Sequence, residues 1–278
     1  MSVTPLAILC GGGDLPIQAA LSAQRNGSSP FLVGIAGAAD KRIEAWPHAW
    51  VRLGEIGKLL RLLSERGTKH LAIIGGLDRP ELSDLRLDWG AIKRLPDLVG
   101  LFRGGDNHLL TGVVRFLEAE GLIIVGVDTI APDLVAAAGA LTLQRPDPAQ
   151  IAEAEFGAAL IAALSGFDVG QAAVMVGRRV IAIEAAEGTE AMLARVAQMR
   201  ASGRLRLKGR AGLLIKAPKR GQDLRLDMPV VGVKTVQQAK AAMLAGIALA
   251  AGQVLVADRE AFIAEANAAG LIAFGHTL

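Results

Sequence analysis

The first half of the chain alternates short apolar runs with helix-like segments, and this alternation limits the possible folds more than any other feature. The predicted strands are residues 6–10, 31–35, 71–74 and 122–127, and the predicted helices are residues 15–26, 56–66, 89–102 and 107–120. Strands joined by helical crossovers pair in parallel. We therefore predict a Rossmann-like α/β domain over residues 1–143, with helices on both faces of an open sheet.

The second half follows a different pattern. It opens with QRPDP at residues 144–148, a polar stretch whose two prolines predict a hinge between domains. The predicted helices are residues 149–164, 190–201, 235–251 and 260–269, and the predicted strands are residues 173–176, 180–185, 212–215, 230–233, 254–257 and 271–274. The first two strands flank GRR and predict a hairpin. We expect a second, smaller α/β domain over residues 144–278.

Composition excludes several classes of protein. With 278 residues, 52% of them apolar and 21% charged, the chain is long and apolar enough for two folded cores. A net charge of +3 is too small to predict a nucleic-acid partner. The single cysteine, Cys10, allows neither a disulfide nor a thiolate metal site, and with no signal peptide it predicts a cytoplasmic protein. The most apolar window, residues 241–257, is too short for a membrane span.

A glycine-rich turn is the first candidate binding site. The sequence AILCGGGDLP at residues 7–16 runs from a predicted strand through three glycines into a predicted helix, whose N-terminus attracts anions. The pattern is not GxGxxG, so the dinucleotide fingerprint is missing. Gly76 ends another strand at the sheet edge where ligands usually bind. The candidates are Gly11, Gly12, Gly13, Asp14, Leu15 and Gly76; tight packing and helix capping by Asp14 are the alternative.

Two further segments place polar side chains beside predicted helix starts. In RGGDNHLL they are Asp106 and Asn107, and in IEAAEGTEAML they are Glu184, Glu187, Gly188 and Thr189. The second group could bind sugar or ribose hydroxyls. Asp106 and Thr189 could instead cap their helices. The four histidines have no metal-ligand spacing, which argues against zinc.

The most unusual segment is KAPKRGQDLRLDMPVVG at residues 216–232, which gathers four bases and two acids between two apolar runs. In an extended strand, Asp223, Arg225 and Asp227 would share one side, with Gln222 on the other. Arg225 could bind a phosphate through two hydrogen bonds, and carboxylates suit Mg²⁺. A surface ladder of salt bridges is the alternative.

These stretches together resemble one family, the UDP-2,3-diacylglucosamine pyrophosphatases of lipid A biosynthesis that are unrelated to calcineurin-like phosphoesterases. The matching motifs are GGGDLP, GVDTIAP, IEAAEGTEAML, the K-x-x-K-x-x-Q-D-x-R-x-D-x-P-x-x-G pattern from Lys216, GVKTV and DREAFIAEANAAGL, and they span nearly the whole chain. The chain departs from the pattern at Arg220, where the family usually has proline. It also departs at Asn107, where a second aspartate is common.

The resemblance implies Mg²⁺-dependent hydrolysis to UMP and 2,3-diacylglucosamine 1-phosphate, with attack at the sugar-bound phosphorus and the substrate held between two domains. It implies that Asp223 and Asp227 hold Mg²⁺ or orient water. Lys216, Lys219 and Arg225 would then neutralise the diphosphate, while Gln222, the glycine-rich turn and the helix-start residues would bind substrate. The implied location is peripheral, on the inner face of the inner membrane. A homodimer is one possible oligomeric state.

Other functions also fit the residues. A nucleotide-dependent oxidoreductase or a sugar-nucleotide transferase would use the Rossmann-like half. The missing dinucleotide fingerprint argues against the oxidoreductase. A sensor of nucleotide or lipid would bind the same substrate and leave it intact. Metal-dependent turnover separates the hydrolase from the sensor.

Overall fold

The chain forms two compact units, residues Met1–Asp133 and Leu134–Leu278. A computed structural model describes residues 5–76 and 106–277, so the predicted helix at residues 89–102 lies outside the described residues. The division precedes the predicted boundary between residues 143 and 144. The predicted hinge at residues 144–148 falls inside the second unit, where Gln144 accepts a hydrogen bond from Thr142 Oγ1 and Asp147 caps a helix.

The first unit is built on a parallel sheet. Along the described residues its elements are β1 (Leu6–Cys10), α1 (Leu15–Arg25), β2 (Phe31–Ile35), β3 (His48–Val51), α2 (Ile56–Glu65), β4 (His70–Ile74), α3 (Asp106–Ala119), β5 (Ile123–Ile124) and α4 (Val127–Ile130). The strand order is β3-β2-β1-β4-β5, with every pairing parallel. That order matches the first five strands of the doubly wound nucleotide-binding fold. The α/β prediction is confirmed here, although β3 was not predicted.

The central strands explain why the sequence pattern was clear. Every residue of β2 is buried, and four of the five residues of β1 are buried. A strand covered on both faces needs a continuous apolar run rather than an alternating one. The predicted strand at residues 122–127 is shorter in the structure, because the chain turns into α4 at Val127.

The second unit contains a mixed sheet. Its elements are β6 (Gly139–Ala140), α5 (Pro148–Leu164), β7 (Ala172–Val176), β8 (Arg179–Ile183), α6 (Gly188–Ala201), β9 (Leu213–Lys216), β10 (Val230–Val231), α7 (Val233–Ala241), β11 (Gly246–Ala250), β12 (Leu255–Val256), α8 (Arg259–Ala268) and β13 (Ile272–His276). The order is β6-β13-β11-β9-β7-β8, in which β9, β11 and β13 run parallel. The hairpin prediction is confirmed by antiparallel β7 and β8. A small parallel sheet joins β10 to β12.

One predicted helix is wrong. The predicted helix over residues 235–251 is split in the structure between α7 and the central strand β11. Alanine-rich sequence favours a helix locally, but β11 is buried throughout its length between β9 and β13. The break comes at Met243, which has a positive φ of 55°. Close packing also requires Gly246, because a Cβ there would lie 2.4 Å from the carbonyl oxygen of Ile272.

A half-buried carboxylate ties helix α5 to the sheet of the second unit. Glu153 accepts hydrogen bonds from the backbone N–H of Gly177 and of Leu213, both at 2.9 Å, one at each carboxylate oxygen. Burial raises the pKa of Glu153, while the two backbone donors oppose that rise. One carboxylate therefore links α5 to the turn after β7 and to the start of β9.

We predict that Glu153→Gln destabilises the second unit although the two side chains have the same shape. A glutamine has only one acceptor oxygen, so its NH₂ group would face a backbone N–H and leave a donor unsatisfied, at a cost of about 1–3 kcal/mol. Urea unfolding measures the change. Glu155→Gln on the same helix is the matched control, because that side chain is exposed and the variant should unfold like the unchanged protein. Equal stability of both variants would contradict the assigned role.

Candidate functional site

In the first unit, the glycine-rich turn packs against a second glycine turn. Gly12 donates a hydrogen bond to the carbonyl oxygen of Gly76 at 2.7 Å, and Gly76 donates one back to Gly12 at 3.0 Å. A Cβ on Gly11 would lie 2.6 Å from the carbonyl oxygen of Gly76. A Cβ on Gly75 would lie 2.8 Å from the backbone of Gly11 and Gly12. Gly11 and Gly75 are therefore required by contact between the two turns.

The remaining candidates of this turn lead into α1. Gly13 has a positive φ of 88° and open space around its α-carbon. Asp14 occupies the N-cap position of α1 without accepting a capping hydrogen bond, and its exposed carboxylate pairs with Arg42, which also binds Asp40 at 2.8 Å. Leu15 is the first residue of α1. The structure thus places all six glycine-turn candidates together at the carboxyl ends of β1 and β4.

In the second unit, the charged segment between β9 and β10 is a folded loop. The prediction of an extended strand there is wrong, because the backbone N–H groups of Leu226 and Asp227 both bond to the carbonyl oxygen of Asp223 at 3.1 Å. Residues 224–226 form a turn. Asp223, Arg225 and Asp227 therefore do not lie on one strand face. The two flanking strands, β9 and β10, are confirmed.

A chain of polar contacts surrounds the buried ammonium group of Lys216. Lys216 is 7% exposed and Glu184 is 8% exposed, which makes them two of the few buried charged side chains in the described residues. Lys216 Nζ donates to Thr189 Oγ1 at 2.6 Å and lies 3.7 Å from Glu184 Oε1. Thr189 Oγ1 in turn donates to Glu184 Oε1 at 2.6 Å. Glu184 and Thr189, predicted as substrate-binding residues, contact the predicted catalytic lysine, and their binding of substrate stays a prediction.

Burial lowers the pKa of Lys216, since removal from water penalises the charged form. The negative charges of Glu184 and Asp227 oppose this change. Asp227 therefore lies within electrostatic reach of Lys216, although the two are not hydrogen-bonded within the described residues.

Asp227 is held at only one of its two carboxylate oxygens. Its Oδ2 accepts hydrogen bonds from Gln222 Nε2 at 2.7 Å and from Gln171 Nε2 at 3.0 Å. Its Oδ1 makes no hydrogen bond to any of residues 5–76 and 106–277. The predicted residue Gln222 is thus a partner of Asp227, and it also bonds to the backbone N–H of Lys219 at 2.9 Å. Asp227 is thus partly buried, with Oδ1 unpartnered among the described residues, and its charge acts on the buried Lys216.

Three other charged residues of the loop, Asp223, Arg225 and Lys219, are paired. Asp223 receives two hydrogen bonds from the Arg225 guanidinium, at 2.9 and 2.7 Å, and this contact holds the pKa of Asp223 below its usual range. Lys219 Nζ pairs with Asp168, a residue with a positive φ of 51° at the end of a short helical turn. A ligand at Asp223 would therefore compete with Arg225 for this carboxylate.

The remaining predicted residues lie apart from this cluster or outside the described side chains. Glu187 is the N-cap residue of α6, where it pairs with Arg195 at 2.7 Å, and Gly188 begins α6 with a positive φ of 78°. Asp106 and Asn107 begin α3 in the first unit, and their side chains lie outside the described part of the chain.

The donor set suits a hard cation completed by a ligand better than a cage made by protein alone. Across the described residues, no three His, Cys, Asp or Glu side chains form a metal-binding group. Mg²⁺ commonly takes only one or two carboxylates, with phosphate oxygens and water filling the other positions. The free Oδ1 of Asp227 fits that requirement.

Two residues of the cluster were missed by sequence analysis. Gln171 and Asp168 lie just before β7, in a stretch with no charged or glycine-rich motif that would mark a site. Only the fold brings them to Asp227 and Lys219. A glutamine contributes no periodicity or spacing signal, so nothing in the sequence alone distinguishes Gln171 from a surface residue.

We predict that Gly75→Ala destabilises the first unit strongly while Gly76→Ala does not. Gly75 has a φ of 107°, and its added Cβ would clash with the Gly11 turn. The strained backbone alone costs about 1–3 kcal/mol. Gly76 has an ordinary φ, and no described atom lies within 4 Å of its ideal Cβ. Chemical denaturation compares the two variants; equal stability would show that the glycine turns do not depend on this close contact.

Comparison with known proteins gives a consistent assignment. Residues 5–134 match the family model described as the LpxI N-terminal domain, and residues 137–274 match the LpxI C-terminal domain. The chain is 37% identical over 270 residues to "UDP-2,3-diacylglucosamine pyrophosphatase LpxI" of Caulobacter vibrioides, covering 97% of this chain and 96% of that relative. The resemblance drawn from the motifs is therefore confirmed, and the chain belongs to the LpxI family.

Proposed function

We propose that this protein hydrolyses the pyrophosphate bond of UDP-2,3-diacylglucosamine in lipid A biosynthesis. Water adds across the P–O–P linkage, giving UMP and 2,3-diacylglucosamine 1-phosphate. The full-length similarity to the Caulobacter pyrophosphatase supports the substrate. The structural observation that carries the proposal is an Asp227 oxygen with no partner among the described residues, on a carboxylate whose charge acts on the buried ammonium of Lys216.

The residues of the second unit divide the chemical work between charge neutralisation and water orientation. A diphosphate gathers negative charge on its leaving oxygens, and fixed cations in a site that excludes water stabilise that charge. Lys216 is already fixed by Thr189 and Glu184, so it needs no rearrangement to act on a phosphoryl oxygen. Lys219 and Arg225 would add positive charge near the diphosphate after leaving their carboxylate partners, Asp168 and Asp223. Asp227 Oδ1 would accept a hydrogen bond from the attacking water.

Mg²⁺ is part of the proposal. Asp227 would hold the ion together with phosphate oxygens, and Asp223 could join if Arg225 moved to the substrate. When bound, the ion would polarise a phosphoryl oxygen and align the diphosphate. Around the ion, the residues of this chain would bind and orient the diphosphate and neutralise its negative charge.

The direct experiment is incubation of the purified protein with UDP-2,3-diacylglucosamine, with and without Mg²⁺, followed by measurement of UMP. Release of UMP that depends on added metal supports the proposal. Tight binding with intact substrate would instead identify a sensor. Reaction in ¹⁸O-labelled water also shows which product carries the new oxygen, and label in the sugar phosphate would mark attack at the sugar-bound phosphorus.

We predict that Asp227→Asn lowers kcat by about 10²- to 10⁴-fold, the range typical of a side chain that positions a reacting proton. The asparagine oxygen can still accept from Gln171 and Gln222, so folding and substrate affinity should change little. Asp147→Asn is the matched control, because it makes the same substitution at an exposed helix cap where asparagine also works well. Near-normal turnover by folded Asp227→Asn would remove Asp227 from the reaction.

We also propose peripheral contact with an anionic membrane surface. None of the helices in the described residues has both the length and the apolar character to cross a bilayer. Residues 191–222 contain nine Lys and Arg and no Asp or Glu. Within this stretch, residues 204–210 form a basic loop before β9. Arg200, Arg206 and Arg210 bond to backbone carbonyls, and no described ion pair neutralises residues 200–210.

We predict that Arg204→Glu with Lys208→Glu weakens binding to vesicles rich in phosphatidylglycerol by tenfold or more, since each cation near such a surface contributes about 1 kcal/mol. Co-sedimentation at low and high salt measures the effect, and high salt should release the unchanged protein. Arg179→Glu with Lys240→Glu is the control, with two exposed cations outside the basic loop. Equal loss in both double variants would point to net charge rather than to this loop.

A further inference from the structure

Gln171 makes three contacts that bring the parts of the site in the second unit together. Its backbone N–H donates to Glu184 Oε2 at 2.7 Å, and its carbonyl oxygen accepts from the backbone N–H of Ala217 at 3.0 Å. Its side-chain Nε2 donates to Asp227 Oδ2 at 3.0 Å. The carboxylate beside Lys216, the residue after Lys216 and the proposed water-orienting carboxylate all contact this one residue.

The side-chain contact matters because Asp227 lies on a loop rather than on a strand. Gln222, the other partner of Oδ2, belongs to the same loop and would move with Asp227. Gln171 immediately precedes β7, which pairs with β9 in the sheet, and its carbonyl oxygen accepts from Ala217, the residue that follows β9. Within the described residues, its amide makes the only hydrogen bond between the Asp227 carboxylate and the sheet. Both amides bind the same oxygen, Oδ2, and the Gln171 bond is the one that comes from outside the loop.

We propose that Gln171 is a positioning residue for the hydrolysis, resting on the function proposed above. Its amide holds Asp227 Oδ2, so that Oδ1 faces the reacting groups at a fixed separation from the Lys216 ammonium. Its backbone holds Glu184, which with Thr189 fixes that ammonium. Gln171 therefore sets the distance between the anionic and the cationic parts of the site, without contacting substrate.

Substitution can separate this role from a role in folding. The bonds to Glu184 and Ala217 use backbone atoms of Gln171, so they persist in any variant that keeps the local fold. Methionine has a similar length and lacks the side-chain amide, whose only hydrogen bond within the described residues is the one to Asp227. Gln171→Met removes the bond to Asp227 and leaves the contacts around Lys216 in place.

We expect Gln171→Met to lower kcat by about 10- to 100-fold, as loss of supporting contacts to reactive side chains commonly does. KM and the thermal midpoint should stay close to those of the unchanged protein, because neither substrate contacts nor backbone ties are lost. Gln198→Met, on the exposed side of α6, is the matched control and should leave both kinetic constants unchanged. Equal kcat values for Gln171→Met and the unchanged protein would overturn the proposal.

A double-variant cycle tests whether Gln171 acts through Asp227. In an Asp227→Asn background, the amide can no longer direct a charged carboxylate. Gln171→Met should therefore cost almost nothing more, because residues that act as a unit have non-additive effects. Fully additive losses would show that Gln171 acts on catalysis by another route, which contradicts the proposed role.

A spectroscopic measurement tests the contact without relying on turnover. The side-chain NH₂ signals of Gln171 in ¹⁵N-labelled protein should shift when Asp227 becomes asparagine, because a charged acceptor is replaced by a neutral one. The corresponding signals of Gln198 should stay in place. Unchanged Gln171 signals would overturn the positioning role even if Gln171→Met failed to fold. Absence of any UMP release by the unchanged protein would count against the hydrolase function alone.

Discussion

The second unit is organised around one buried positive charge. Lys216 ends the central strand β9 with its ammonium almost fully removed from water. An unpaired ammonium in such a place costs several kcal/mol, so the chain must supply compensating groups. Thr189 comes from the start of α6 and Glu184 from just beyond β8. The burial of one side chain thus fixes how a helix start and a hairpin end meet the middle of the sheet.

The two carboxylates near this charge have different environments, and the difference matters chemically. Glu184 is buried. Its Oε1 accepts a hydrogen bond from Thr189, and its Oε2 accepts one from the backbone N–H of Gln171. Glu184 offsets the charge of Lys216, and each of its oxygens already accepts a hydrogen bond. Asp227 is only partly buried and keeps Oδ1 available. A cation that is only partly neutralised can still stabilise charge that develops on a phosphoryl oxygen.

The sequence predicted the parts of this structure that depend on continuous burial, and it failed where tertiary contacts decide. Strands β1 and β2 were placed correctly at both ends, because covered strands need unbroken apolar runs. The predicted helix over residues 235–251 was wrong, because the local preference of alanine for a helix is overridden where β11 is buried between β9 and β13. The charged segment was expected in the wrong conformation, because the hydrogen bonds to the carbonyl oxygen of Asp223 that fold it into a loop leave no spacing signal in the sequence.

The glycine-rich turn of the first unit shows how one sequence signal can arise from two physical causes. A glycine allows the backbone to approach a ligand, but it equally allows two backbones to approach each other. Gly11 and Gly75 serve the second purpose, because each would collide with the opposite turn if it carried a Cβ. Gly13 has no such neighbour and leads into the open N-terminus of α1. An anion in this unit would therefore bind the N–H groups at Gly13 and the first turn of α1. Gly11 and Gly75 would hold that helix start in place.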